Sequence, residues 1–251
     1  MKIINSFFTC ITEHFPVMRW CFSVIVIAFS AVVSIYKYID MSEMTAFSSP
    51  EAMFLLLTDV TNIVFIYLPL YLFIVSGIMF DTGFGEIGVI RFGSRKRWLF
   101  SKLITYILNT LIFFGIIILI NFTVSSQVFN FSDVWSGNFV GFRVMMGQPA
   151  SDFADKPLPV IITASVAVFM LYMFCGTVNM FISLLTSRES AGLFISLIFG
   201  ILLGLLNMLI ISGGLSSQLI RIAVLFVSAV IMYLLSLPVL KRKDFGGKKM
   251  Y

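Results

Sequence analysis

Six uninterrupted apolar runs constrain this chain more than any other feature. They are Trp20 to Tyr36, Ile63 to Phe80, Leu103 to Val124, Val160 to Leu185, Ala191 to Ile211 and Ile222 to Leu240. A bilayer core about 30 Å thick takes about 20 residues at about 1.5 Å each, and the runs cluster around that length. Backbone groups in hydrocarbon must bond within their own segment, so continuous apolarity of this length means helices, whereas barrel strands alternate. Composition agrees. The chain is 59% hydrophobic and 12% charged with a mean hydropathy of +1.04, against roughly 25% charge in an average soluble protein. The expected fold is an all-α integral membrane protein with six transmembrane helices forming one domain over residues 17–240.

Charge sets the expected orientation. Thirteen of the 17 Lys and Arg residues fall on the side that carries both termini, and Lys37, Arg143, Lys156 and Arg221 fall on the other. The positive-inside rule then puts both termini in the cytoplasm. The net charge of +5 follows from that topology, with no call for a nucleic-acid partner.

Residues 1–16 do not form a signal peptide, because Asn5, Ser6, Thr9, Thr12 and Glu13 interrupt any apolar core. Ile4, Phe7, Phe8, Ile11 and Phe15 recur at helical spacing, which predicts an amphipathic helix on the inner membrane surface, with Pro16 at the bend into the first span. Cys10, Cys21 and Cys175 are odd in number and scattered, so no disulfide framework is expected.

Two outer segments stand out. Ser49-Pro50-Glu51 reads as a helix start, with Ser49 as cap, proline first and an acid in the first turn, so the second helix is expected to begin outside the bilayer. The loop 125–159 is rich in aromatics. Trp135, Phe139, Phe142 and Met146 recur at helical spacing between Ser132 and Gly147, which predicts an interfacial anchor, or alternatively a lid over a transport path. On the inner side, Thr186 and Glu189 match a capping box that would start the fifth helix. Residues 241–251 form a basic cytoplasmic tail.

The inner segment 81–98 holds the most suggestive motif. Gly83, Gly85 and Gly88 match the spacing of a dinucleotide fingerprint, but no strand precedes them and no βαβ unit can follow. Asp81 and Glu86 lie early while Arg91, Arg95, Lys96 and Arg97 lie late, an arrangement that suits a short surface helix opposing its own dipole. The glycines allow a foreign surface to approach closely. Both a docking element and a loop that fixes topology fit this composition.

Glu86-x-Gly88, a few apolar residues, Ser94-Arg95 and then Lys102 at the mouth of the third span resemble the first inner loop of type-2 ATP-binding-cassette (ABC) exporter permeases. Six spans, an amphipathic N-terminal helix and cytoplasmic termini are also similar to that family. The resemblance implies that the loop is a coupling helix seated in a separate ATPase subunit, present in two copies and holding ATP and Mg²⁺. Carried over by position, Glu86, Ile87, Gly88, Arg91 and Arg95 are contact residues, and Thr186, Arg188 and Glu189 form a second inner contact. Six spans make half a pathway, so the chain is expected to pair with itself or a similar chain within the lipid bilayer. The family often carries a helical element between the fifth and sixth spans. Here that turn is short, so no gate is carried over.

The chain lacks a Walker A sequence and is expected to bind no cofactor and to be no enzyme itself. His14 is the single histidine, which leaves no bis-histidine haem, H-E-x-x-H zinc site or other metal site. The centres of the six spans hold no ionisable group, which argues against ion-coupled transport. Gly192, Ser196, Gly200 and Gly204 form a small-residue stripe suited to helix packing. Ser101, Thr105 and Asn109 share one face of the third span, and Cys175, Asn179 and Ser183 one face of the fourth; these are interhelical glue, with Asn109 and Asn179 the candidates for a substrate path. The sequence thus favours an exporter permease for an amphipathic peptide or lipid-like cargo. A membrane-embedded sensor or immunity protein and an ATP-independent carrier are the alternatives.

Overall fold

The structure, a computed structural model, describes residues 16–42, 47–79, 94–145, 150–186, 188–209 and 215–242; all regular elements among them are helical. In chain order these are α1 (Val17–Ser42), α2 (Ser49–Thr58), α3 (Leu68–Val75), α4 (Arg95–Val128), α5 (Gly137–Met145), α6 (Pro157–Thr186), α7 (Glu189–Leu209) and α8 (Leu215–Arg242). A π-helical stretch, Thr61–Tyr67, leads into α3, and a 3-10 turn, Ala150–Phe153, precedes α6. The expected N-terminal helix over 1–16 lies outside the described residues.

Four helices are long and apolar enough to cross a membrane: α1, α4, α6 and α8. The second expected span is broken, with α2 and Thr61–Val75 meeting at 52°. In α7 the apolar stretch Ser190–Leu206 sits at the lower limit of what spans a core about 30 Å thick. Of the six expected spans, the described residues thus show four, or five if the bent pair is one span, with α7 shorter than the rest. This is a helical, multi-pass membrane architecture.

The first span shows why such a chain has two apolar faces. Trp20, Ser23, Ile27, Ala31, Ile35 and Tyr38 recur at three- and four-residue spacing and are buried. Phe22, Ile25, Phe29 and Tyr36 on the other face are exposed, and that face is no less apolar. Water would penalise it; lipid does not. The Pro16 carbonyl accepts the first helical bonds, from Arg19 N–H at 2.9 Å and Trp20 N–H at 3.1 Å.

The break in the second span has two local causes. Asp59 leaves the helix at ψ 118°, and its Oδ1 accepts the Thr61 N–H at 2.8 Å, restarting the chain in a new direction. Pro69 has no N–H to return to the turn before it, and the widened turns Thr61–Tyr67 end where that proline begins the α3 geometry. One carbonyl in the widened region, that of Ile63, is taken instead by the Tyr172 hydroxyl at 3.2 Å.

α6 is the hub, touching α2, α3, α4, α7 and α8. Tyr172 of α6 stacks on Tyr71 of α3 with centroids 5.5 Å apart, and Phe113 of α4 meets both rings. α8 rests chiefly on α6 and leaves Leu219, Ile220, Val224, Phe226 and Ile231 facing outward.

Candidate functional site

Of the expected coupling residues, Glu86, Ile87, Gly88 and Arg91 lie outside the described residues. Both flanks of their segment are described, and each is fastened by an arginine. On the first flank, Gly77 at φ 95° ends α3, a conformation that costs glycine little. Arg19, one turn into α1, reaches that end: its Nη1 donates to the carbonyls of Phe73 at 3.0 Å and Ser76 at 2.7 Å, while the guanidinium lies 5.0 Å from the Phe73 ring centre. On the second flank, α4 begins at Arg95, inside the expected 81–98 segment. Ser94 caps it, its Oγ accepting from the Arg97 N–H at 3.3 Å. Arg95 donates to the Leu240 carbonyl near the end of α8 at 3.4 Å. Trp98 and Lys102 are buried one turn further in, with the ammonium 5.9 Å from the indole centre. The two helices that bound the segment are thus tied to two others, α1 and α8, at one face of the bundle.

The second expected contact falls at the exposed α6–α7 turn. Thr186 ends α6 and Arg188 precedes α7, whose first bond runs from the Gly192 N–H to the Arg188 carbonyl. Arg188 therefore occupies the cap position. This corrects the expected Thr186–Glu189 box, since the Thr186 hydroxyl instead closes the turn, bonding the Arg188 N–H at 3.4 Å and the Arg188 carbonyl at 3.2 Å.

Gly192, Ser196, Gly200 and Gly204 lie buried along α7. A Cβ on Gly192 would collide with Ser183 Oγ, one on Gly200 would come 2.6 Å from Leu68, and one on Gly204 2.5 Å from Val64. The stripe is therefore the seam between α7, α6 and the broken span. Cys175, Asn179 and Ser183 face this seam. Ser183 donates to Asn179 Oδ1 at 3.0 Å, whereas Asn109 spends its amide on the Thr105 carbonyl of its own helix at 2.8 Å. Among the described residues the two asparagines have different hydrogen-bond partners.

The polar centre lies elsewhere, at the broken span. Ser30 Oγ meets Asn62 Oδ1 and the Tyr67 hydroxyl, each at 3.3 Å, and the Asn62 amide donates to Ser34 Oγ at 2.9 Å. Tyr38 donates to Asp59 at 3.2 Å, and Tyr71 bonds Thr110 at 2.9 Å. Asn121 of α4 adjoins this group beside Tyr67, its amide fully buried and making no hydrogen bond of good geometry among the described residues. Pro69 and the asparagines inside apolar runs were the available signals. Period alone could not bring them together.

The opposite face is closed by aromatics. α5 starts at Gly137, five residues after Ser132, with the Ser136 hydroxyl accepting the Phe139 N–H at 3.2 Å. Trp135 stacks on Phe139 at 5.1 Å, and both pack on Phe54 of α2, as does Phe153. Phe139 is completely buried and Trp135 nearly so. Of the expected interfacial anchor, Trp135 and Phe139 therefore face protein at α2, while Phe131, Val134, Val144 and Met145 of the same segment are exposed. Glu51 holds the arrangement. Its buried carboxylate accepts the Ser48 N–H at 2.7 Å and, very closely, the Ser136 N–H. The helix cap is thus Ser48, one residue before the expected Ser49, and α2 is buried among α1, α4 and α6. Arg143 lies 5.3 Å from the Phe54 ring centre, and burial pulls its pKa down to about 10, an effect the Tyr38 phenol opposes.

No family profile, curated protein or solved structure matches this chain.

Proposed function

We propose that the chain is the membrane subunit of an export-type ABC transporter, moving an amphipathic peptide or lipid-like molecule across the cytoplasmic membrane. A separate ATPase, in two copies, supplies the energy, and the chain pairs with itself or a similar chain to complete the pathway. The observation that carries this reading is the fastening of both flanks of the 80–93 segment, by Arg19 to α3 and by Arg95 to α8. A force applied to that segment reaches four helices at once through charge-assisted bonds.

The mechanism then runs through this chain's own parts. Closure of the ATPase pair presses on Glu86 to Arg91. α3 and α4 transmit the movement, and the 52° break at Asp59 gives the second span a place to bend. The stripe on α7 provides a smooth surface against which the broken span can slide. Rocking between inward- and outward-facing packings is the resulting cycle.

The test is co-purification of full-length chain with an ABC ATPase from the cells that express it, comparing wild type with Glu86→Arg. The variant is expected to insert normally and to lose the ATPase. Undiminished association would overturn the docking assignment, and transport into liposomes without any nucleotide would favour a secondary carrier.

A further inference from the structure

Hydrogen-bond spacing changes within the stretch Thr61–Tyr67. The Ile63 N–H donates to the Asp59 carbonyl, four positions back, at 3.0 Å, whereas the Leu68 N–H donates to the Ile63 carbonyl, five positions back. Between those two bonds the chain holds one residue more than an ordinary helix needs. Two features leave this register free to change. Pro69 has no N–H, so at the downstream end neither spacing gains a bond over the other. At the upstream end Asp59 is extended at ψ 118° and the span bends by 52°, so no continuous ladder enters the widened turns from α2.

The bonds that hold the widened form come from outside the span. The Ile63 carbonyl accepts a second bond, from the Tyr172 hydroxyl of α6, at 3.2 Å. The buried Asn62 side chain bridges to α1, its Oδ1 accepting from Ser30 Oγ at 3.3 Å and its amide donating to Ser34 Oγ at 2.9 Å. All three bonds are buried within the membrane domain, where no bulk water replaces them, so each weighs directly on the choice of register.

We propose that Thr61–Tyr67 is a register switch whose two states are the widened turns and ordinary α-turns, and that Tyr172 and Asn62 hold it in the widened state. In the second state the Leu68 N–H bonds the Val64 carbonyl. The surplus residue passes into the break at Asp59, whose extended backbone carries no ladder to disturb. Asn62 leaves Ser30 and Ser34, and the Ile63 carbonyl leaves Tyr172. Val64 turns from under Gly204 of α7, while Leu68, beyond the switch, stays under Gly200. The positions of α1 and α6 at this level are thereby linked to the grip of the span on α7. The switch does not depend on an ATPase, and its test uses no nucleotide.

The test places 4-trifluoromethylphenylalanine at Phe65, a side chain within the widened turns that is 53% exposed and takes part in none of these bonds. Fluorine NMR is recorded on full-length chain in lipid nanodiscs. Wild type is expected to give two exchanging resonances, the minor one on the order of a few per cent. Tyr172→Phe keeps the aromatic ring and removes only the hydroxyl. It should raise the minor-to-major ratio roughly threefold to tenfold, the worth of one interhelical hydrogen bond in a membrane. Thr163→Ala is the control, because the Thr163 hydroxyl bonds only within α6, to the Pro159 carbonyl, and the ratio should not move. A second measurement stands even if Tyr172→Phe fails to fold. With Cys10, Cys21 and Cys175 changed to alanine, Ser34→Cys with Asn62→Cys should lose the minor resonance on oxidation to the disulfide and regain it on reduction. A single resonance throughout, a ratio that Tyr172→Phe leaves unchanged, or a minor resonance that survives the disulfide would each overturn the switch.

Discussion

Arg19 and Ser76, 57 positions apart, are joined twice: one guanidinium nitrogen donates to the Ser76 carbonyl at 2.7 Å and to its hydroxyl at 3.0 Å. The bonds place a cation at the C-terminal end of α3, where unpaired carbonyls and the helix dipole favour positive charge. Arg19→Gln should therefore lower stability by about 1–3 kcal/mol, with Arg19→Lys recovering part of the loss. Thermal unfolding in detergent micelles is the measurement. An unchanged midpoint for the glutamine variant would remove Arg19 from the fastening described here.

Glu51 ties α2 to the outer loop through two backbone donors, Ser48 N–H and Ser136 N–H. Glutamine has a single carboxamide oxygen for two sites, so Glu51→Gln leaves one donor unpaired at a cost of about 1–3 kcal/mol. The loss is local. Amide hydrogen exchange should quicken in 129–145 and leave the centre of α6 as protected as before; equal quickening in both would mean that Glu51 supports the whole bundle.

The α7 seam offers a coupled test. A Cβ at Gly204 comes 2.5 Å from Val64 Cγ2, and valine is too stiff at χ1 to swing away. Gly204→Ala should destabilise by about 1–3 kcal/mol, and adding Val64→Ala should recover most of it. Strictly additive losses in this cycle would show that α7 does not pack as described.

Asn121 gives a prediction of opposite sign. Its amide is fully buried beside Tyr67 and makes no hydrogen bond of good geometry among the described residues, so most of its desolvation goes uncompensated. Asn121→Leu, which keeps the branching and heavy-atom count without the polar atoms, should stabilise the folded chain by about 1 kcal/mol. A lowered unfolding midpoint would reveal that the amide has a bound partner, such as an ordered water.

These outcomes bear on how much of the molecule its sequence discloses. α1, α4, α6 and α8 were readable because an apolar run is itself the physical requirement for crossing lipid. The break at Asp59 was not, since an acid at the edge of an apolar run fits both a loop and a helix restart, and Tyr38, its partner, is 21 positions away. The outer aromatics were recognised as one helical face, but period does not say whether a face meets lipid or protein. Phe54 and Glu51, in a distant segment, decided that. At the inner loop, residues 80–93 lie outside the described structure. The fastening of the flanks of that segment by Arg19 and Arg95 depended on pairings no spacing rule encodes.

The widened turns from Thr61 to Tyr67 carry one more residue per hydrogen-bonded ring than an α-helix does. Each such surplus residue rotates everything downstream by about 100° relative to an uninterrupted helix. The Tyr71 ring owes its place beneath Tyr172 to that phase offset, as do Leu68 and Val64 their positions under the α7 glycines. Trimming the surplus by one residue would swing the tyrosine out of its stack and turn a different strip of the span toward α7, converting a change in length into a change of partner.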